Sequence, residues 1–267
     1  CRTTRRPPHR KTMLDSLSPI AAGTLGSLAA GLMTAVGALP LLVMKTPSKQ
    51  TQGVLLGFAA GVMLAASFFS LIIPGVGVLE NDGAARPVAA GIMALAVLLG
   101  AMAVGLLNRF APVDMLAIGP AGSKDLARRI WLFVFAITLH NFPEGAAVGV
   151  SFGGGDMSQG LSTALGIGIQ NMPEGLAVAA AMGALGWGRR AAFGAALASG
   201  MVEPIGGVIG AGLVAWSPAL LPWGLGLAAG AMIYVVAAEI IPETRADAED
   251  ERSMAGLMIG LVGMMFL

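Results

Sequence analysis

The sequence predicts an all-α protein: a polytopic membrane bundle of eight transmembrane helices, with inverted three-helix repeats flanking a central helix pair. Three observations predict it. Apolar runs of membrane-crossing length recur along the chain, two distant runs share a motif, and polar residues gather in the middle of two adjacent runs. Residues 1–15 read as a disordered basic tail, and 16–267 as a single transmembrane domain.

Hydrophobic residues make up 56% of the 267 and charged ones 12%. A soluble domain carries about twice that charge, so there is too little polar material here for a water-facing surface. Mean hydropathy is +0.79, and the bilayer is the solvent that suits it. A net charge of +1 gives no reason to expect a nucleic-acid partner. The only cysteine is Cys1, which excludes a disulfide framework and a thiolate metal cluster. The 39 glycines lie largely inside the apolar runs, as suits helices that pack closely in lipid.

Runs of roughly 20 apolar residues span a bilayer as helices. Eight are expected, at about 16–44, 51–73, 85–107, 129–152, 158–185, 190–214, 220–242 and 253–267, the last being short. Pro40, Gly53, Asn81-Asp82-Gly83, Gly153-Gly154-Gly155, the glycines near 186–188 and Pro218 separate them. Eight crossings put both termini on one side. The opposite side holds Lys45, Lys49, Arg109, Lys124, Arg128, Arg129, Arg189, Arg190, Arg245 and Arg252, ten of the sixteen basic residues. The positive-inside rule makes that side cytoplasmic and both termini extracytoplasmic. The basic, proline-rich tail argues the other way but lies in one segment against four loops. It has no long apolar region of its own and does not read as a cleaved signal.

Gly57-Phe58-Ala59-Ala60-Gly61-Val62-Met63 ends in Ile72-Ile73-Pro74, and Gly226-Leu227-Ala228-Ala229-Gly230-Ala231-Met232 ends in Ile240-Ile241-Pro242. They fall in the second and seventh runs. An offset of five crossings turns one copy over relative to the other, an arrangement found in secondary transporters with the substrate near the midplane. Chance similarity between Ala/Gly-rich helices is the plainer alternative.

The fourth run contains His140-Asn141-Phe142-Pro143-Glu144-Gly145, and the fifth Gln170-Asn171-Met172-Pro173-Glu174-Gly175. At about 100° per residue, Glu144 lies one turn beyond His140 and Asn141 on the same face, and Glu174 likewise follows Gln170 and Asn171. Pro143 and Pro173 remove the helical hydrogen bonds to Leu139 and Ile169, so each is expected to bend its helix and free a carbonyl, as happens at mid-membrane beside a cavity or ion. Glu203, before Pro204, and Glu239, near Pro242, add two carboxylates. An ionised side chain at the bilayer centre costs roughly 3 kcal/mol, so four cost on the order of 10 kcal/mol, and no Lys or Arg lies mid-span to offset it. A bound dication can, since structural zinc is worth about 10–16 kcal/mol in small peptides. Imidazole with carboxylate oxygens suits Zn2+, Fe2+, Mn2+ or Cd2+ better than copper(I) or calcium.

Each residue has a plainer reading. His140 alone would be a hydrogen-bonded packing histidine, Gln170 an interhelical donor, Asn141 and Asn171 caps on freed backbone groups, and Met63 a lipid-facing residue or a core filler, distinguished only by its place in the repeat. Glu239 would be an end-of-helix carboxylate, and Asp114 and the acidic 243–251 segment solvated surface. Glu239, Ser70 and Asp114 together form a candidate exit path.

The paired motif closely resembles the ZIP family of zinc/iron-type metal transporters, in its bacterial form, and the resemblance covers nearly the whole chain. It implies uptake of Zn2+, with Cd2+, Fe2+ or Mn2+ possible, into the cytoplasm across a bacterial inner membrane. It implies a binuclear centre, with His140, Glu144, Gln170 and Glu174 on the first ion, Met63 and Glu203 nearby, and Asn141, Glu144, Asn171, Glu174 and Glu203 on the second. It further implies homodimers and an elevator motion of spans one, four, five and six against two, three, seven and eight. Two departures stand out: the 108–128 loop has no histidine-rich stretch, and Gln170 stands where many relatives have histidine, which hardens the first site. An intramembrane metalloenzyme is the weaker reading, for want of an H-E-x-x-H motif. A proton-coupled carrier of an organic solute leaves the repeated ligand spacing unexplained.

Overall fold

The computed structural model describes residues 17–109, 124–242 and 250–266. Helix α1 (Pro19–Ala38) starts where Ser18 Oγ accepts the Ala21 N–H, with Pro19 in the first turn, where its missing donor is not needed. A short α2 (Pro40–Val43) follows. Ser48 caps α3 (Lys49–Ala66) in the same way through Thr51. This helix runs without a break through a π-helical turn (Ser67–Ile72) into α4 (Ile73–Asn81). Next come α5 (Arg86–Arg109), α6 (Lys124–Gly153) and α7 (Met157–Ala184), whose start is capped by Asp156. Then follow α8 (Arg189–Gly200), α9 (Glu203–Trp216), a 3-10 turn (Pro218–Leu220), α10 (Leu221–Val235), a second π turn (Val236–Ile240) and α11 (Asp250–Met264). The described residues contain no strand.

Five segments are long and apolar enough to cross a membrane: Pro19–Val43, Gln50–Asn81, Arg86–Leu107, Arg189–Trp216 and Pro218–Ala238. The protein is a multi-pass membrane protein. At 30 and 28 residues, α6 and α7 are long enough, but their polar mid-sections lower their hydropathy. The 15-residue α11 is short for a crossing.

Three features depart from the sequence reading. Gly53, expected as a break, lies inside α3, because the Ser48 cap starts the helix four residues earlier. The second run does not stop at Pro74. The π turn carries the helix past it, the Ile73 N–H bonding to the Phe68 carbonyl. Pro74 has no N–H for the Ser70 carbonyl, and Gln159 Nε2 of α7 donates to that oxygen at 3.2 Å. The sixth run is broken between α8 and α9 at Met201-Val202, because Pro204 cannot donate to Gly200 and the helix restarts at Glu203. The two repeat copies share the π turn. It begins at Ser67 in one and Val236 in the other, four residues after Met63 and Met232, and is six residues long in the first and five in the second. That one residue accounts for the unequal spacing of Met63 to Pro74 and Met232 to Pro242.

Close glycine contacts sort the helices into two groups, although α3 also packs on α7 and α10 on α6 across the boundary. In one, α1 lies against α6, α7, α8 and α9, and α6 runs along α9. In the other, α3 lies along α11 and α5 along α10. Where glycines let backbones touch, they do so within a group: a Cβ on Gly61 would strike the Leu257 carbonyl, and one on Gly230 the Val97 carbonyl. Between groups the glycines face side chains, Gly166 meeting the Met264 thioether and Gly224 the Val150 methyls. An apolar groove of about 330 Å3 runs along part of this boundary, between Val104 and Leu107 of α5, Phe142 of α6, Leu213 of α9 and Leu227 of α10.

Candidate metal centre

Helices α6 and α7 lie side by side, so their matching motifs meet. His140, Glu144 and Glu174 each offer a ligand atom, and the three atoms lie within 4.8 Å of one another. His140 Nε2 stands 3.3 Å from Glu174 Oε2, and Gln170 Nε2 donates to Glu144 Oε1. Each glutamate therefore pairs with the first residue of the other helix's motif. None of these four side chains, nor Asn141, Asn171, Glu203 or Met63, is more than 1% exposed.

The amides and Glu203 form an adjoining cluster. Asn171 Nδ2 donates to Glu203 Oε1 at 2.7 Å and to the Ala30 carbonyl at 2.9 Å. Asn141 Nδ2 donates to Ser199 Oγ at 3.3 Å. The oxygens Glu144 Oε2, Glu174 Oε1, Glu203 Oε2, Gln170 Oε1, Asn141 Oδ1 and Asn171 Oδ1 are buried and accept no hydrogen bond from the protein. Six such acceptors in one place are expensive and together make a donor set for a hard or borderline dication.

The glycine that ends each motif has a steric reason. A Cβ on Gly145 would strike the Glu203 carbonyl, and one on Gly175 the Thr34 carbonyl. The motif thus brings α9 and α1 against the two glutamates as well as supplying them.

Met63 sits in the apolar core, where α3 approaches α7. Pro143 and Pro173 lie inside helices that continue through them. Ser70 is buried and holds the fourth place of the first π turn; Glu239 holds the fourth place of the second, but its side chain lies outside the described residues, as does all of Asp114. Sequence reasoning missed Ser199, Thr34 and the Ala30 carbonyl. Ser199 stands one turn before Glu203, the one signal that could have drawn attention to it.

Residues 120–267 match the family model for the ZIP zinc transporter. The chain is 43% identical over 242 residues to the zinc transporter GufA of Myxococcus xanthus, covering 90% of this chain and 95% of that one. It is 44% identical over 162 residues to the zinc transporter ZIPB of Bordetella bronchiseptica, 60% of this chain and 52% of that one. It is 42% identical over 154 residues to the human zinc transporter ZIP11, 55% of this chain and 44% of that one. These are transporters and not enzymes, and the matched region contains both copies of the motif that builds the buried cluster. The chain belongs to the ZIP family of zinc transporters.

Proposed function

We propose that this protein carries Zn2+ into the cytoplasm across a bacterial inner membrane, crossing it eight times with both termini extracytoplasmic. The carrying observation is the sealed triad of His140, Glu144 and Glu174, with ligand atoms within 4.8 Å in the middle of two long helices. Three such groups with no lysine or arginine among them call for a dication. His140, Glu144, Gln170 and Glu174 hold a first ion, and Met63 stays near it on the neighbouring helix. Asn141, Asn171 and Glu203, sharing Glu144 and Glu174, hold a second. Cd2+, Fe2+ and Mn2+ fit the same donors. Glu239 and Asp114 mark the exit path, whereas Ser70, beside Gln159 at the start of α7, lies toward the extracytoplasmic end in this topology and is not part of it. The protein works as a homodimer.

The two packing groups support an elevator. Every ligand is out of reach of water in this conformation, so delivery requires a rearrangement. Backbone-to-backbone glycine contacts lock each group internally, while the glycines between groups meet side chains that can re-pack. Sliding α1 and α6–α9 as a unit against α3, α5, α10 and α11 moves the ions without dismantling their ligands.

The test is uptake by purified protein in liposomes loaded with a zinc dye. Wild type fills them, and Glu144→Ala or His140→Ala abolishes the signal. Uptake that persists in both variants removes the reading, as would a protein that cleaves peptide or moves only organic solutes.

A further inference from the structure

A side-chain amide has two unlike ends. Its oxygen can bind a cation, while its NH2 has two hydrogens and no lone pair to offer. Which end faces an ion depends on what holds the other. Asn171 is held twice through Nδ2, by the Ala30 carbonyl and by Glu203. For Asn141 the corresponding acceptor is Ser199 Oγ, at 3.3 Å. Ser199 is 2% exposed and is the next-to-last residue of α8, just before the break that separates α8 from α9. Glu203 opens α9 on the other side of that break. The broken helix therefore places one acceptor behind each amide: Ser199 behind Asn141 and Glu203 behind Asn171. In both cases the amide oxygen is left buried, accepting nothing from the protein.

We propose that Ser199 is a positioning residue that holds Asn141 with Oδ1 turned toward the second ion and so sets that ion's affinity. It touches no ion itself and acts through Asn141. The inference rests on the reading of Asn141 as a ligand of a second ion. A purely packing role, a hydroxyl joining α6 to α8 as polar residues commonly join membrane helices, predicts a different outcome.

Zn2+ titrated into the purified protein in detergent, with bound metal counted after equilibrium dialysis, tests it. Wild type should take up two ions per chain with two dissociation constants. Losing a group that orients a ligand weakens metal binding by about 10-fold or more. Ser199→Ala should therefore raise by that factor the one constant that Asn141→Ala raises and leave the other within about twofold, with Ser199→Thr close to wild type. Should Ser199→Ala fail to fold, Ser199→Cys carries the same test, since a thiol is nearly the same shape and a weaker acceptor. If Ser199→Ala changes neither constant while Asn141→Ala weakens the second, the positioning role is wrong and the ligand reading stands. If Ser199→Ala weakens both sites alike, the role is packing and the inference is overturned. If Asn141→Ala changes nothing, or wild type binds one ion only, the ligand reading falls and takes this inference with it.

Discussion

Replacing Gly175 by alanine tests whether the glycine that closes the second motif is there to seat α1. A Cβ at this position would strike the Thr34 carbonyl oxygen, with Thr34 C at 2.6 Å and Cα at 3.0 Å. These are backbone atoms, so no rotamer change relieves the clash and α1 itself must withdraw. Forcing a methyl into a packed contact costs about 1–3 kcal/mol. Withdrawal also stretches the 2.9 Å bond from Asn171 to Ala30, worth about 1 kcal/mol. Alanine returns about 1 kcal/mol of helix propensity. The net is a loss of about 2 kcal/mol, roughly 4–8 °C in melting temperature for a chain of this size. Gly183→Ala, on the same helix with nothing within 4 Å of the added carbon, is the control and should melt at or slightly above wild type. Thermal unfolding in detergent, with and without Zn2+, gives both numbers. If Gly175→Ala melts with Gly183→Ala and binds Zn2+ equally well, the seat of α1 against α7 is not what the motif's glycine serves.

Three further outcomes follow from the same geometry. Sharing about 10–16 kcal/mol of zinc binding among four ligands gives each roughly 3 kcal/mol, so Glu174→Gln should weaken Zn2+ about 100-fold in a calorimetric titration; an unchanged constant would place Glu174 off the ion. Gln170→His replaces an amide that faces Glu144 with imidazole, and competition dialysis should show preference for Zn2+ over Mn2+ rising about 10-fold, whereas a flat ratio would remove Gln170 from the first site. Asn171→Asp sets a carboxylate where an amide nitrogen now stands 2.7 Å from Glu203 Oε1 and 2.9 Å from the Ala30 carbonyl. The metal-free variant should lose about 3 kcal/mol and regain it with Zn2+, and melting that ignores the metal would refute this.

How much was legible follows from contrast. A histidine, amides and glutamates inside apolar helices are conspicuous because lipid makes them costly, and the spacing that repeats in α6 and α7 put them on facing sides. The GFAAG/GLAAG similarity, read as a repeat, falls on two helices that each carry a π turn, a feature the sequence did not announce. Ser199 and Thr34 were not legible, since a lone hydroxyl in a helix costs little and has no contrast with Ala and Gly around it. The α8–α9 break was hidden for a similar reason. Met201 and Val202 look like span, and only knowing that the Gly200 carbonyl has lost its donor to Pro204 separates them. The second expected run ends at 73, just before Pro74, but a π turn and the Gln159 side chain absorb the missing bond and the helix continues to Asn81, where the sequence places the Asn81-Asp82-Gly83 break. Met63 was singled out through the repeat, and that position places it in the core beside α7 rather than on a lipid face.

The polarity that lowers the hydropathy of α6 and α7 also explains how they are housed. Neither helix suits lipid at its centre, so both are wrapped: α1 and α8–α9 cover them through glycine contacts, and α3 and α10 close the remaining sides. Wrapping removes water from the carboxylates and raises the penalty for leaving them unmatched. The cargo is then part of what stabilises the packed helices, and a site this enclosed would hold it too long to serve a carrier. The shared ligands offer a way out. Glu144 pairs with Gln170 and Glu174 with His140, and each lies one helical turn beyond the asparagine of its own motif, so with the ligands proposed above an ion would shift from one donor set to the other without either carboxylate being left bare. On the two-ion reading proposed above, a second dication entering this cluster would repel the first and lower the barrier to its departure, which would give the twin motif a reason to be twin: one copy would bind, and two would pass an ion on.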